Sequence, residues 1–248
     1  MDFTEAPAEF LTRPDGNQIA CRFQAGAGPT LVFLPGYMSD MQGGKAQALS
    51  KWAAENAKAM LRLDYSGCGE SGGEFSDGSF TIWRDDVLMA IDHYTDGPVV
   101  LVGSSMGGWL MLLVALALGE RVAGIAGIAA APDFTDWGFD DARKAELAEK
   151  TVIYEDNPYG PEPMPTYLKL WEDGEANKLL GKEIPINCPV RLLHGQRDAD
   201  VPWQISMQLA EKLRSDDVQI RLVKDGDHRL SRPQDIDLLI EAVSGLMR

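Results

Sequence analysis

Cysteine is scarce: Cys21, Cys68 and Cys188 are the three in 248 residues. The count is odd and no pair has CxxC spacing, so neither a disulfide framework nor a zinc site is expected. Histidine is equally rare, at His93, His194 and His228, and no two stand at metal-ligand spacing. No GxGxxG follows the first strand-like segment, so no dinucleotide, and no cofactor or metal of any kind, is expected. Basic residues are in deficit, 23 against 38 acidic, giving a net charge of −15. Phosphates demand a basic surface, so nucleic acid is not an expected partner, and docking to anionic lipid is disfavoured. The longest apolar stretch falls within Trp109–Leu118, too short to cross a bilayer, so stable membrane insertion is not expected. The first residues, Met1–Leu11, carry Asp2, Glu5 and Glu9 and no base. That pattern fits neither a secretory signal nor an Arg-rich transit segment, and a cytoplasmic protein is expected. Nothing in these numbers speaks to oligomeric state.

What is present is a rhythm. With 45% hydrophobic residues, the chain can bury one substantial core, and a single domain over residues 1–248 is expected. Leu31–Leu34, Val99–Val102 and Val122–Ala130 read as apolar strands, the first of them buried and parallel, and Ala59–Asp64, Val190–His194 and Val218–Val223 as further strands. Helical spacing separates them at Lys45–Asn56, Phe80–Tyr94, Gly107–Leu118, Pro202–Arg214 and Pro233–Met247. Repeated strand–helix units imply an α/β fold, a mostly parallel central sheet with helices on both faces. Glu9–Arg13, Asp15-Gly16 and Gln18–Phe23 read instead as an N-terminal antiparallel hairpin at one edge of the sheet. Residues 133–189 show no clear strand. They hold Pro158, Pro161, Pro163 and Pro165 and the aromatics Trp137, Phe139, Tyr154, Tyr159, Tyr167 and Trp171. An insertion of this length is usually functional, and a small helical cap or lid is expected, against the alternative of packing helices with surface loops.

The chemistry centres on Gly103-Ser104-Ser105-Met106-Gly107, which follows an apolar strand and opens a helix. Small residues two positions either side let Ser105 sit on a sharp turn with its hydroxyl projecting above the sheet. The helix that follows turns its positive end toward the site. The alternative is an ordinary Gly-rich turn. A serine hydroxyl needs a base. His93 lies beside Asp92 in a helical stretch and reads as a surface residue, and His194 as one that packs or hydrogen-bonds under a turn. His228 sits in the loop after the last strand, where catalytic groups gather in open α/β sheets, and is the candidate base. The carboxylate that fixes its tautomer comes from Gly195-Gln196-Arg197-Asp198-Ala199-Asp200, with Asp198 favoured and Asp200 the alternative or a cap for the next helix. The backbone N–H groups of Tyr37 and Met106 are the candidate oxyanion donors. Asp64 reads as structural, accepting N–H groups of its own turn. Trp109, Trp137, Tyr167 and Trp171, with Phe139 and Met164, are candidates for an apolar substrate pocket, although such residues are more often core.

The segments Leu34-Pro35-Gly36-Tyr37-Met38-Ser39-Asp40-Met41, Asp64-Tyr65-Ser66-Gly67, Gly103-Ser104-Ser105-Met106-Gly107-Gly108-Trp109, Asn187–Gly195 and Asp227-His228-Arg229 resemble one subfamily of the α/β hydrolases. That subfamily includes the mitochondrial palmitoyl-protein thioesterase, also described as a mycophenolic acid acyl-glucuronide esterase. The resemblance covers most of the chain except the insertion. It implies an α/β-hydrolase fold, a Ser–Asp–His triad at Ser105, Asp198 and His228, and hydrolysis of acyl thioesters or carboxylic esters on a small molecule or an acylated protein. Two other readings share the fold: different chemistry such as C–C hydrolysis or perhydrolysis, and a non-catalytic ligand-binding module.

Overall fold

The computed structural model describes residues 7–158 and 160–247. Tyr159, Asp2 and Glu5 lie outside the described residues. The chain opens with strands β1 (Glu9–Thr12) and β2 (Gln18–Gln24), paired antiparallel as Glu9 opposite Cys21 through Thr12 opposite Gln18. Next come β3 (Ala27–Leu34), helix α1 (Gly44–Glu55), β4 (Lys58–Leu63), α2 (Phe80–Tyr94), β5 (Val99–Ser104), α3 (Met106–Leu118) and β6 (Val122–Ile128). The series resumes after the insertion with β9 (Val190–Gly195), α7 (Gln204–Lys212), β10 (Val218–Val223) and α8 (Pro233–Leu246). The sheet order is β1-β2-β4-β3-β5-β6-β9-β10, and every pair from β4 to β10 is parallel. The antiparallel pair stands at the edge, joined through β2 to β4.

The side-chain alternation of the strands builds both faces at once. Val32, Leu34, Val99 and Leu101 enter one core with Val87 and Ile91 of α2, Trp109 and Leu110 of α3 and Leu209 of α7. Their neighbours Leu31, Phe33, Val100 and Val102 enter the other with Ala46, Leu49 and Ala53 of α1 and Leu239 and Val243 of α8. Because both faces are covered here, β3 and β5 are continuously apolar through Leu31–Leu34 and Val99–Val102 rather than alternating in polarity. Helix α3 runs under the middle of the sheet, buried from Met106 to Ala115, which explains why its sequence lacks a polar face.

The insertion differs from the all-helical expectation. It contains α4 (Phe134–Trp137) and α5 (Asp141–Lys150), then two short strands, β7 (Val152–Glu155) and β8 (Met164–Tyr167), and α6 (Leu168–Ala176). The strands pair antiparallel, Val152 opposite Tyr167 and Glu155 opposite Met164. Pro165 sits inside β8 and cannot donate to a ladder, a residue that argues against a strand and is tolerated in this free-standing ribbon. The two ends of the insertion are pinned by Asp133, whose buried carboxylate accepts the N–H groups of Leu179 and Leu180, each at 2.8 Å. Among the described residues no helix is long and apolar enough to cross a membrane.

Candidate active site

Strand β5 ends at Ser104 and α3 begins at Met106, leaving Ser105 as the hinge residue with φ 55° and ψ −121°. An L-residue adopts this left-handed region only when its surroundings hold it there, at a cost of roughly 1–3 kcal/mol. The surroundings do so. The Ser105 N–H donates to Ile128 O at 2.9 Å, and Ser105 O accepts from Gly108 N at 2.8 Å and Ala131 N at 3.1 Å. Gly107 is required by space, since a Cβ there would lie 2.2 Å from Leu34 O and 2.4 Å from Pro35 O. The elbow therefore packs directly against the end of β3, and the loop carrying Tyr37 is brought beside Ser105.

The loops after β9 and β10 bring the other two side chains. They lie backbone to backbone: a Cβ on Gly195 would meet Gly226 O at 2.3 Å. Arg197 N donates to Gly226 O at 2.9 Å and Gln196 N to Val223 O at 2.8 Å. His228 then spans the gap. Its Nε2 is 3.0 Å from Ser105 Oγ and its Nδ1 is 2.8 Å from Asp198 Oδ2. Asp198 Oδ1 accepts the N–H groups of Asp200 at 2.9 Å and Val201 at 2.8 Å. Asp200 is exposed and the N-cap of α7 is Trp203, so Asp200 does not cap that helix; its carboxylate lies within 4.8 Å of the Asp198 and His228 groups, while Asp198 is the one paired with Nδ1. Burial works against the charge on Asp198. The hydrogen bonds from His194 and His228 outweigh it and hold the carboxyl well below the usual carboxylate range.

A cleft of about 660 Å³ opens over this line, bounded by Tyr37, Met38, Ser105, Met106, Trp137 and His228 among others. Tyr37 and Met106 thus share a wall with Ser105, and among the described residues neither backbone N–H is taken by another backbone group. The Tyr37 hydroxyl donates to Pro165 O at 2.5 Å, which ties the β3 loop to the ribbon of the insertion. Asp64 accepts Met41 N at 2.7 Å and Glu70 N at 2.8 Å, a structural role in its turn. His93 is on the surface.

Of the aromatic pocket candidates, Trp137 lines the cleft, as do Phe139 and Met164. The expectation is corrected for three others. Trp109 is fully buried, its ring 4.1 Å from Phe80 and its Nε1 donating to Asn177 O. Trp171 packs under the insertion and donates to Thr135 O, while Tyr167 faces Phe75. Each faces a neighbouring element that the sequence does not place beside it. Lys45 is a cleft residue that the sequence reading passed over. Its Nζ donates to Arg229 O at 2.6 Å, and burial first, then the Arg229 charge, pulls the ammonium down to about 8. His194, assigned to a turn, lies 3.2 Å from Asp198 Oδ2. The HGxxD spacing that puts it one strand end from Asp198 was the available signal.

Comparison with known proteins agrees with this architecture. The alpha/beta hydrolase fold family matches over residues 29–153. The human palmitoyl-protein thioesterase ABHD10, mitochondrial, is 40% identical over 242 residues, 96% of this chain and 79% of the human protein. The structure of alpha/beta hydrolase domain-containing protein 10 from mouse superposes with a TM-score of 0.91 at 38% identity, covering 97% of this chain and 98% of that one. A crystal structure from Agrobacterium vitis S4 gives the same TM-score, 0.91, at 41% identity, over 98% of this chain and 100% of that chain. The mammalian relatives are mitochondrial by name, which does not match the expected cytoplasmic location. With the strand order, the elbow and these matches together, the chain belongs to the α/β-hydrolase fold family.

Proposed function

We propose that this chain is a serine hydrolase that cleaves acyl thioesters or carboxylic esters through Ser105, Asp198 and His228. The observation that carries the reading is the unbroken line from Ser105 Oγ through His228 to Asp198, at 3.0 and 2.8 Å. Ser105 Oγ attacks the acyl carbon while His228 Nε2 takes its proton. Asp198 holds the Nδ1–H tautomer and stabilises the imidazolium that forms. The N–H groups of Tyr37 and Met106 receive the oxyanion, each such donor being worth about 100–1,000-fold in turnover. Collapse expels the thiol or alcohol, which takes the proton from His228, and leaves an acyl-Ser105 ester. Water, activated by the same base, releases the acid.

The substrate is a small-molecule ester or an acylated protein, with the acyl group against Trp137, Phe139 and Met164. The insertion, roughly residues 133–189, acts as a lid within the one domain. Support comes from the relatives described as palmitoyl-protein thioesterases and from the apolar side chains in the cleft wall. The cytoplasmic location belongs to the same proposal, and fractionation of the source cells tests it. The experiment for the reaction is a chain-length series of matched oxygen esters and thioesters, run with wild type and Ser105→Ala. Long-chain thioesters leading, with the mutant dead, supports a depalmitoylating activity. Short or aryl esters leading keeps the triad and removes the lipid substrate. Turnover retained by Ser105→Ala removes the mechanism.

A further inference from the structure

His194 is fully buried at the end of β9, between that strand and α7. Its Nε2 is 3.0 Å from Val201 O and 3.2 Å from Asp198 Oδ2, and its Nδ1 is 2.7 Å from Ser206 Oγ. Val201 O can only accept, and Asp198, with its pKa held low, is an acceptor too. The proton on a neutral ring therefore belongs on Nε2, which leaves Nδ1 to accept from the Ser206 hydroxyl. Ser206 fixes the tautomer, and the tautomer places the one N–H between Val201 O at 3.0 Å and the Asp198 carboxylate at 3.2 Å, shared by both. The full set on Asp198 is then two backbone N–H groups on Oδ1, and on Oδ2 the His228 N–H with the His194 N–H that it shares with Val201 O. A carboxylate offers about four acceptor sites, so all are used. Either oxygen would lose partners if the group rotated.

Resting on the triad reading above, we infer that His194, set by Ser206, is a positioning residue. It holds the Asp198 carboxylate in the orientation that keeps His228 aimed at Ser105. Nothing in its burial alone demands this, because a packing histidine needs only its contacts to β9 and α7. The 3.2 Å approach of the shared N–H to the same oxygen that the base uses is what a packing role leaves unexplained.

The test is steady-state hydrolysis of a short aryl ester by His194→Ala, His194→Gln, Ser206→Ala and Ser105→Ala, with the thermal midpoint of each. His194→Ala should lose about 10–100-fold in kcat with KM within about threefold, the rate equivalent of one hydrogen bond to a charged group. His194→Gln places an amide N–H near the Nε2 position and should recover most of kcat. Ser206→Ala should lose roughly severalfold in kcat, since it frees the tautomer without removing the ring. The downfield proton of the His228–Asp198 hydrogen bond should shift in His194→Ala, a signal that loss of packing alone would leave in place. Wild-type kcat in a folded His194→Ala, or a Gln variant that regains stability without kcat, overturns the inference. Where His194→Ala does not fold, Ser206→Ala decides: unchanged kcat overturns it. An active Ser105→Ala removes the triad itself, whereas an inactive one beside a fully active His194→Ala removes only the role of His194.

Discussion

The floor and the roof of the cleft are built by different means. On the floor, Ser105, Asp198 and His228 each stand one to five residues beyond a strand of the main sheet. Their loops are locked by backbone hydrogen bonds, from Ser105 N to Ile128 O and from Arg197 N to Gly226 O. The roof is a set of short elements, two four-residue strands and helices of four, ten and nine residues, with Tyr154 61% exposed. It is pinned at Asp133 and touches the floor through the Tyr37 hydroxyl. The contrast teaches where each task resides. Geometry that must hold to a few tenths of an ångström is anchored in the sheet, and under the proposed function selection among acyl groups would fall to segments that can vary without disturbing it.

Substitutions on the two sides should therefore fail in different ways. The largest effect is expected on the floor. Ser105→Ala should lower kcat by on the order of a million-fold, and Asp198→Asn by about ten-thousand-fold through the wrong tautomer, both with little change in KM. Initial rates at saturating ester check this, and a comparable loss of KM alone would break the division of labour. Trp109→Ala probes the packing beneath the floor. It should destabilise the protein by about 3–5 kcal/mol in urea unfolding while leaving acyl preference unchanged. Trp137→Ala, on the roof, should do the reverse. KM for long acyl chains should rise about tenfold, with unfolding and short-chain kcat close to wild type.

The smallest expected effects are in pH dependence. The folded pKa of Asp198 is depressed below the unfolded value of about 3.9, so its stabilisation is present above that pH and is lost as pH falls below it. The stability difference between wild type and Asp198→Asn should shrink on acidification through that window. For Lys45 the folded value of about 8 lies below its ordinary 10.5, so the unfolded chain binds the proton more tightly between them. Stability should rise with pH across about 8 to 10.5, and Lys45→Met should flatten that rise. An unaltered slope in the variant would place Lys45 in open solvent.

The same divide governs what could be read from the sequence. The floor was legible because Ser105 and Asp198 follow largely apolar buried strands and His228 the alternating edge strand Val218–Val223, and the glycines at 103, 107 and 195 mark the close approaches. Strand β10 and helix α2 match their expected spans of Val218–Val223 and Phe80–Tyr94. The roof was not legible. Four-residue strands are too short for periodicity to register, and Pro165 pointed away from a strand. Trp109, Trp171 and Tyr167 carry nothing local that separates a pocket wall from a core, because the elements they face are distant in the chain. The reading of His194 as a residue that hydrogen-bonds under a turn holds, through Val201 O and Ser206 Oγ, but its 3.2 Å approach to Asp198 was not legible until those neighbours were placed around it.

The most direct test of the central claim is covalent. The folded protein would be incubated with a fluorophosphonate, digested, and the adduct located by peptide mass spectrometry. The account predicts one adduct, on Ser105, absent from Ser105→Ala and strongly slowed in Asp198→Asn. A folded protein that takes up no label, or one labelled at another serine, would contradict it.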